Sequence, residues 1–367
     1  MALKKVKLGD LINVVDERNN IGSRDFYGIN INKEFMPTVA DTTGLDETKY
    51  KVVRKNRFVY SGMQTGRDEC IRISMYLQDK PIIVSPAYTT FEVTAQDIVL
   101  PEYFFMLFLS KEKDRLGWFY SDSSIRSNLD WDRFCEMELS LPPIDVQKKY
   151  VDIYLAMLAN QRAYEQGLDD LKLVCDAYIE DLRRKIPSEE IGKYIKKCVE
   201  KNINGEITLE QGINIEKKFI TPQRTNSNFY GRQIVRCGQI AYCTQLNNEN
   251  VAIALRGGPD CIVSSVYDVI DVLDTGILLP EYLMIWLTRK EFGRYVYWAS
   301  QGTSYEFLSF ENLSNYKIPI PPIEVQKSIA ELYKVYNQRK EINEKLKAQI
   351  KDTCPILIKG SLQSATD

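Results

Sequence analysis

The chain contains no histidine. Ser–His and Cys–His nucleophile pairs are therefore excluded, as are the commonest general base and the commonest neutral metal ligand. Carboxylates or lysine could still serve, but no pairing of these stands out. The eight cysteines are scattered without a CxxC pair, so neither a zinc ribbon nor a disulfide framework is indicated. Cys237 and Cys243 come nearest, at a spacing that suits no common metal site, and small buried hydrophobes are the simpler reading. What remains is a set of polar loops. Gln64, Thr65 and Arg67 sit in Ser61-Gly-Met-Gln-Thr-Gly-Arg67, with Arg72 just beyond. Amide and guanidinium groups of this kind pair with base edges, Gln with adenine and Arg with guanine, although an ordinary solvated hairpin has the same make-up. Arg126 and Ser127, Gln223 and Arg224, Gln245 with Asn247 and Asn248, and Gln301 with Thr303, Ser304 and Tyr305 are candidates of the same chemistry. Arg54, Lys55, Arg72, Arg224 and Arg232 suit phosphate, or simply solvate the surface.

Composition neither supports nor opposes such a role. Formal net charge is −2, from 48 basic and 50 acidic residues, so no global charge advertises a polyanion. No apolar run approaches the roughly eighteen residues of a membrane span. Met1-Ala-Leu-Lys-Lys-Val-Lys lacks the apolar stretch and cleavage site of a signal peptide, and a cytoplasmic protein without membrane association is expected.

The elements that must position these loops come in duplicate. Leu141-Pro-Pro-Ile-Asp-Val-Gln-Lys148 returns as Ile320-Pro-Pro-Ile-Glu-Val-Gln-Lys327, and Leu100-Pro-Glu-Tyr103 as Leu279-Pro-Glu-Tyr282. Ser85…Tyr88 returns as Ser264…Tyr267, all three pairs at one offset of 179 residues, whereas Val53-Arg54 matches Val235-Arg236 at 182. The chain reads as one unit written twice, with small insertions in the outer loops. Each proline pair forbids helix before it and suits a helix start just after. A 4-3 apolar stepping follows: Tyr150, Tyr154, Met157, Gln161, Tyr164, Leu168, Leu171, Cys175, Tyr178, Leu182 in the first rod. The second runs Val325, Ile329, Leu332, Tyr336, Arg339, Asn343, Leu346, Ile350, and Pro355 is expected to end it. A helix of ~40 residues is ~60 Å long and must pack on a partner helix, here most simply the other rod, antiparallel. The predicted fold class is α+β: two similar α/β domains joined and separated by a pair of long antiparallel coiled-coil helices, pseudo-twofold. Expected boundaries are 1–140 and 187–319 for the domains, 141–186 and 320–358 for the rods, and 359–367 for a loose tail. The framework agrees between copies while the polar loops differ, as two similar heads that hold different things would require. Double-stranded DNA has local twofold symmetry, so such a protein matches a bipartite site.

The two proline-led segments, each opening a long helix, resemble the conserved regions of type I restriction-modification specificity subunits. Phe35-Met-Pro, Lys49-Tyr-Lys-Val-Val53, Phe58-Val-Tyr60 and Ser85-Pro-Ala-Tyr88 resemble that family's target-recognition domain, and the resemblance covers essentially the whole chain. It implies a non-catalytic subunit that names the DNA sequence, with no cofactor of its own. It also implies two partner methyltransferase (modification) subunits that hold S-adenosylmethionine and methylate adenine, docked on the rods, and motor-nuclease (restriction) subunits that complete the complex. Two rivals stand beside it. A methyltransferase acting alone would need more than Ser85-Pro-Ala-Tyr88, which lacks the leading Asn or Asp and second proline of an Asn-Pro-Pro-Tyr loop and follows no glycine-rich cofactor loop. A two-headed coiled-coil scaffold for proteins would select no DNA sequence.

Overall fold

The computed structural model describes residues 3–122, 124–222, 228–246, 250–300 and 307–366. Its contacts divide the chain into two compact units, Met1–Tyr164 with Ile342–Asp367, and Glu165–Glu341. These limits cut across the expected domain boundaries, because each unit takes one half of each long helix into its own packing.

In the first unit the strands are β1 (Lys4–Lys7), β2 (Ile12–Val14), β3 (Phe26–Ile29), β4 (Phe35–Pro37), β5 (Lys51–Val53), β6 (Phe58–Ser61), β7 (Arg72–Met75), β8 (Ile82–Val84), β9 (Thr89–Val93) and β10 (Glu138–Leu141). The helices are α1 (Thr65–Asp68), α2 (Pro101–Phe108), α3 (Lys111–Tyr120), α4 (Trp131–Glu136) and the long α5 (Ile144–Lys185). One antiparallel sheet runs β2-β9-β6-β7, a second runs β4-β3-β8-β5, and β1 pairs with β10. Residues 51–60 form two strands about an Asn turn, with Asn56 left-handed at φ 66. The strands do not pair with each other, however: β5 bonds to β8, while β6 bonds to β7 and β9. The reason is burial. β6 is buried at every position, which requires partners on both edges and α2 on one face. Phe58 stacks on Phe91 at 5.0 Å and meets Phe104 edge-on at 5.3 Å, which joins sheet and helix into one core.

The second unit repeats this plan. Its strands are β11 (Ser188–Glu190), β12 (Ile195–Cys198), β13 (Gly212–Ile213), β14 (Phe219–Ile220), β15 (Gln233–Val235), β16 (Ile240–Cys243), β17 (Ile253–Leu255), β18 (Cys261–Val263), β19 (Tyr267–Val272) and β20 (Lys317–Pro319). Its helices are α6 (Pro280–Leu287), α7 (Lys290–Ala299), α8 (Phe310–Ser314) and the second long helix, α9 (Ile323–Ser364). The sheet β12-β19-β16-β17 has the strand order of its counterpart, and β11 pairs with β20 as β1 does with β10. The smaller sheet is here reduced to the pairs β13-β14 and β15-β18, linked by a parallel bridge between Glu210 and Ile262.

The repeated glutamine of the proline-led motif has a structural task. Gln147 is fully buried; its amide donates to the carbonyls of Ile98 and Pro142, both at 2.8 Å, and accepts from Leu100 N at 3.0 Å. Gln326 makes the same three bonds to Ile277, Pro321 and Leu279. Each long helix is thereby pinned at its entrance to the chain that opens α2 or α6, whose first-turn prolines, Pro101 and Pro280, need no N–H partner.

Within each unit the long helices lie antiparallel. In the first, Tyr150 Oη meets Ser364 Oγ at 2.9 Å and Gln161 Nε2 donates to Asn343 Oδ1 at 3.1 Å, so numbering rises on one helix as it falls on the other. Tyr154, Cys354 and Ile358 join the unit's main core. In the second unit Gly167 faces Arg339, and Tyr333 lies beside Asp176 and Cys175. Along the helix pair Tyr154, Leu168 and Ile329 are buried, while Tyr150, Met157, Tyr164, Leu171, Leu332, Tyr336, Leu346 and Ile350 are half-buried. Near the end of α5 the strict stepping fails: Tyr178 is 45% exposed and its neighbour Ile179 is fully buried, the drift expected when a 3.6-residue turn meets a 3.5-residue repeat.

Two expectations about the C-terminal end are corrected. Pro355 does not end the second rod but lies inside α9, and residues 359–364 are helical rather than loose. An internal proline costs ~3 kcal/mol through its missing N–H and its clash with the preceding turn. That cost is offset here because the chain beyond it buries Ile358, Ser361 and Ala365, with Leu357 and Leu362 against the same core. Tyr103 Oη and Ser361 Oγ meet at 2.7 Å within it.

Candidate nucleic-acid interface

At the end of β6 the chain enters Gly62, whose close approach to the Leu129 backbone leaves no room for a Cβ: one would lie 1.7 Å from the Leu129 carbonyl oxygen. Leu129 N donates to Gly62 O at 2.8 Å, Gln64 N to Asn128 Oδ1 at 2.9 Å and Gly66 N to Ser127 O at 2.8 Å. The polar loop 61–67 and the segment that carries Arg126 and Ser127 thus form a single joint. Asp122 braces it by accepting from Ser124 and from Asn128 N, and the Ser124 hydroxyl chiefly holds its carboxyl below the usual carboxylate range.

The side chains on this joint divide by exposure. Gln64, left-handed at φ 61, offers its Oε1 to Arg67 Nη2 at 2.7 Å. Arg67 is 57% exposed and also donates to Asp68. Arg72 is ion-paired to Asp68 and its Nε is buried without a partner. The Arg67 hydrogen bond, followed by Arg72, holds the Asp68 carboxyl below its ordinary range. Arg126 is exposed and makes no ion pair among the described residues. Ser127 is half-buried, left-handed at φ 47, and its hydroxyl donates to Ser124 O. Thr65 is a correction: it is fully buried at the start of α1 and its hydroxyl donates to Gly62 O, because the tight joint draws the first turn of this helix inward. Composition-based reading passed over Ile125, which stands entirely exposed beside Arg126 at the tip of the turn. Its only signal was a lone aliphatic residue set among the serines of a polar turn.

The second unit builds the same joint. Leu308 N donates to Thr244 O at 2.8 Å, the equivalent of Leu129 to Gly62, and Gln245, exposed, bridges Phe307 through its backbone. Gln223, Arg224, Asn247, Asn248, Gln301, Thr303, Ser304 and Tyr305 lie outside the described residues. The cations considered for phosphate are largely committed elsewhere. Arg54 pairs with Glu17 at 2.6 Å, Lys55 with Asp79 at 2.7 Å and Arg232 with Glu210 at 3.2 Å. The Arg54 pair lowers the Glu17 pKa, and Arg236 does the same to Glu200 in the second copy. Among the described residues no group of three or more acidic or cysteine side chains is placed to hold a metal ion, and no helix is long and apolar enough to cross a membrane.

Residues 190–352 match the family described as Type I restriction modification DNA specificity domain. The type I restriction-modification system S subunit from M. genitalium superposes with a TM-score of 0.60 at 12% identity, covering 97% of this chain and 96% of that one. The HsdS subunit from Thermoanaerobacter tengcongensis aligns at 14% identity and a TM-score of 0.41, covering 98% and 96% of the two chains. No curated protein matches the chain. The fold is that of a type I specificity subunit, two α/β units with two long helices. The family match spans somewhat less than half of the chain, and the likeness to the M. genitalium S subunit is one of fold.

Proposed function

We propose that this chain is the DNA-recognition subunit of a type I restriction-modification complex, each unit reading one half of a bipartite site. The observation that carries the reading is the loop joint built twice on one strand frame. Leu129 to Gly62 and Leu308 to Thr244 are the same bond, yet the side chains presented around them differ. A fixed frame with rewritten tips is what two different half-sites require. In the first unit Gln64, Arg67 and Arg126 are the proposed base-edge readers, with Ile125 suited to a thymine methyl group. Ser127 and Arg72 hold the joint. In the second unit Gln245, Asn247 and Asn248 take the corresponding part, with Gln223, Arg224, Gln301, Thr303, Ser304 and Tyr305 as further candidates. The chain itself performs no catalysis. Two methyltransferase subunits docked on the long helices would hold S-adenosylmethionine and modify adenine, and motor-nuclease subunits would complete a cytoplasmic complex.

Co-expression with the methyltransferase subunit and sequencing of methylated adenines in host DNA tests this directly. A two-part motif with a fixed gap is expected, and Arg67→Ala with Arg126→Ala should relax one part only. Methylation by the chain alone with labelled S-adenosylmethionine would favour an enzyme. Binding without sequence preference in the presence of the partner would favour a scaffold.

A further inference from the structure

Each unit contains a hairpin whose tip is a left-handed lysine, Lys33 at φ 64 between β3 and β4 and Lys217 at φ 62 between β13 and β14. The tips are built alike: Asn30 Oδ1 accepts from Glu34 N and Asn214 Oδ1 from Lys218 N, both at 3.0 Å. The two ammonium groups also do the same thing. Lys33 Nζ donates to the Phe108 carbonyl at 2.5 Å and Lys217 Nζ to the Leu287 carbonyl at 3.2 Å, the ends of α2 and α6. A cation is favoured there by the helix dipole.

The copies part at the counter-charge. Lys33 is paired with Asp114 of α3 at 2.5 Å. The residue at the corresponding place in α7 is Gly293, and no carboxylate lies within ion-pair distance of Lys217 among the described residues. Glu216 beside it in the hairpin and Glu281 in the first turn of α6 are exposed and make no ion pair with it, and other acids nearby are engaged with other cations. Glu341 of α9 binds Lys218 at 2.7 Å, and Asp176 and Glu180 of α5 and Glu291 of α7 surround Arg289 at 3.6, 3.1 and 3.3 Å. Lys217 is therefore a half-buried amine with one carbonyl acceptor and no neutralising partner, and burial pushes its pKa down to about 8.

We propose that Lys217 is an acylation site, its amine taking an acyl group from activated donors of the acyl phosphate class. The nitrogen lone pair attacks the acyl carbon and a C–N bond forms. The C–O bond to phosphate breaks, phosphate leaves with the electron pair, and the amine proton passes to water. The amide product keeps one N–H for the Leu287 carbonyl and strands no acid. The same change at Lys33 would leave Asp114, only 17% exposed, without its counter-charge and with a single bond, from Ile71 N at 3.0 Å. The asymmetry confines the modification to the hairpin that leads, through β14, into the segment holding Gln223 and Arg224.

The test is labelling of the full chain with isotopic acetyl phosphate between about pH 6.5 and about pH 9.5, quantified peptide by peptide, where ordinary surface lysines gain roughly tenfold in rate per pH unit. Lys217 should acquire label at least about tenfold faster than Lys33 near pH 7.5, and its rate should level off above about pH 8. Lys217→Arg identifies the labelled peptide. Gly293→Asp, which restores the first unit's counter-charge, should slow the labelling about tenfold at neutral pH. If that variant does not fold, the pH profile of the unaltered chain decides alone. A rate at Lys217 no greater than at Lys33, or one still climbing tenfold per unit at the alkaline end, overturns the proposal.

Discussion

Gln147 and Gln326 each satisfy two carbonyls and one N–H with a single buried amide. Replacing Gln147 by Ala leaves those groups without partners in the core, at a cost of about 2–4 kcal/mol, visible as a lowered urea midpoint with unchanged slope. Gln147→Glu should cost nearly as much, because a carboxylate cannot donate to the Ile98 and Pro142 carbonyls; a neutral result for either variant would show that this amide does not hold the helix entrance. Lys217 makes a prediction of opposite character. Its folded pKa, near 8, lies below the ordinary lysine value of about 10.4, so between these pH values the unfolded chain binds more protons. Stability should therefore climb as pH rises through that window and stay level below it. Lys217→Met should abolish the climb, which paired urea titrations at about pH 7.5 and about pH 9.5 would detect. Thr65 shows why residue roles are the hardest to read from sequence. Its neighbours Gln64 and Arg67 share its loop and polarity, yet Thr65 turns inward because Gly66 must approach Ser127, a contact some sixty residues away that no local pattern encodes.

At the level of elements, the signals that could be read were those carried by nearby residues. The proline pairs opened the long helices, and the 4-3 spacing marked the faces they bury. Non-local pairing could not be read. β5 and β6 are separated only by a short Asn turn, and only the buried partners of β6 explain why the two strands enter different sheets. Pro355 misled for a related reason, since the apolar residues that continue the helix beyond it are stabilised by unit 1 rather than by helix propensity. Truncation after Pro355 should consequently unfold that unit, removing Ile358, Ser361 and Ala365 from its interior. A retained cooperative transition for the truncated chain would contradict this packing. The buried pair Gln161 and Asn343 illustrates a second design of the helix pair. Polar partners inside an apolar seam fix register at some cost in stability. Gln161→Leu alone should destabilise by about 1–3 kcal/mol by stranding the Asn343 amide, whereas the double leucine variant should regain most of the loss. A thermodynamic cycle of the two singles and the double reads the coupling, and additive losses would show that the pair does nothing together.

For the molecule as a whole, duplication has a consequence that charge helps to define. Net charge is −2, and Arg54, Lys55, Arg232 and Arg236 are each held by acidic neighbours. Little long-range attraction to a polyanion is available, so affinity should come from the few uncommitted groups at the loop joints and from partner subunits. Each unit also has its own hydrophobic core, one joining α2 to the first sheet and the other joining α6 to its counterpart. Side chains at the two joints should accordingly act independently. Arg67→Ala and Arg126→Ala, both in the first unit, are expected to weaken discrimination at one half-site by about 1–3 kcal/mol per lost bidentate contact. The other half-site should be unaffected, and the melting profile unchanged. If Arg126 instead meets phosphate, its loss would weaken all sequences equally and reduce the salt slope by about one. Competition binding by the complex with methyltransferase, against DNA altered in one half-site at a time and at two salt concentrations, separates these outcomes. A loss spread over both half-sites would mean that the two frames do not read separately.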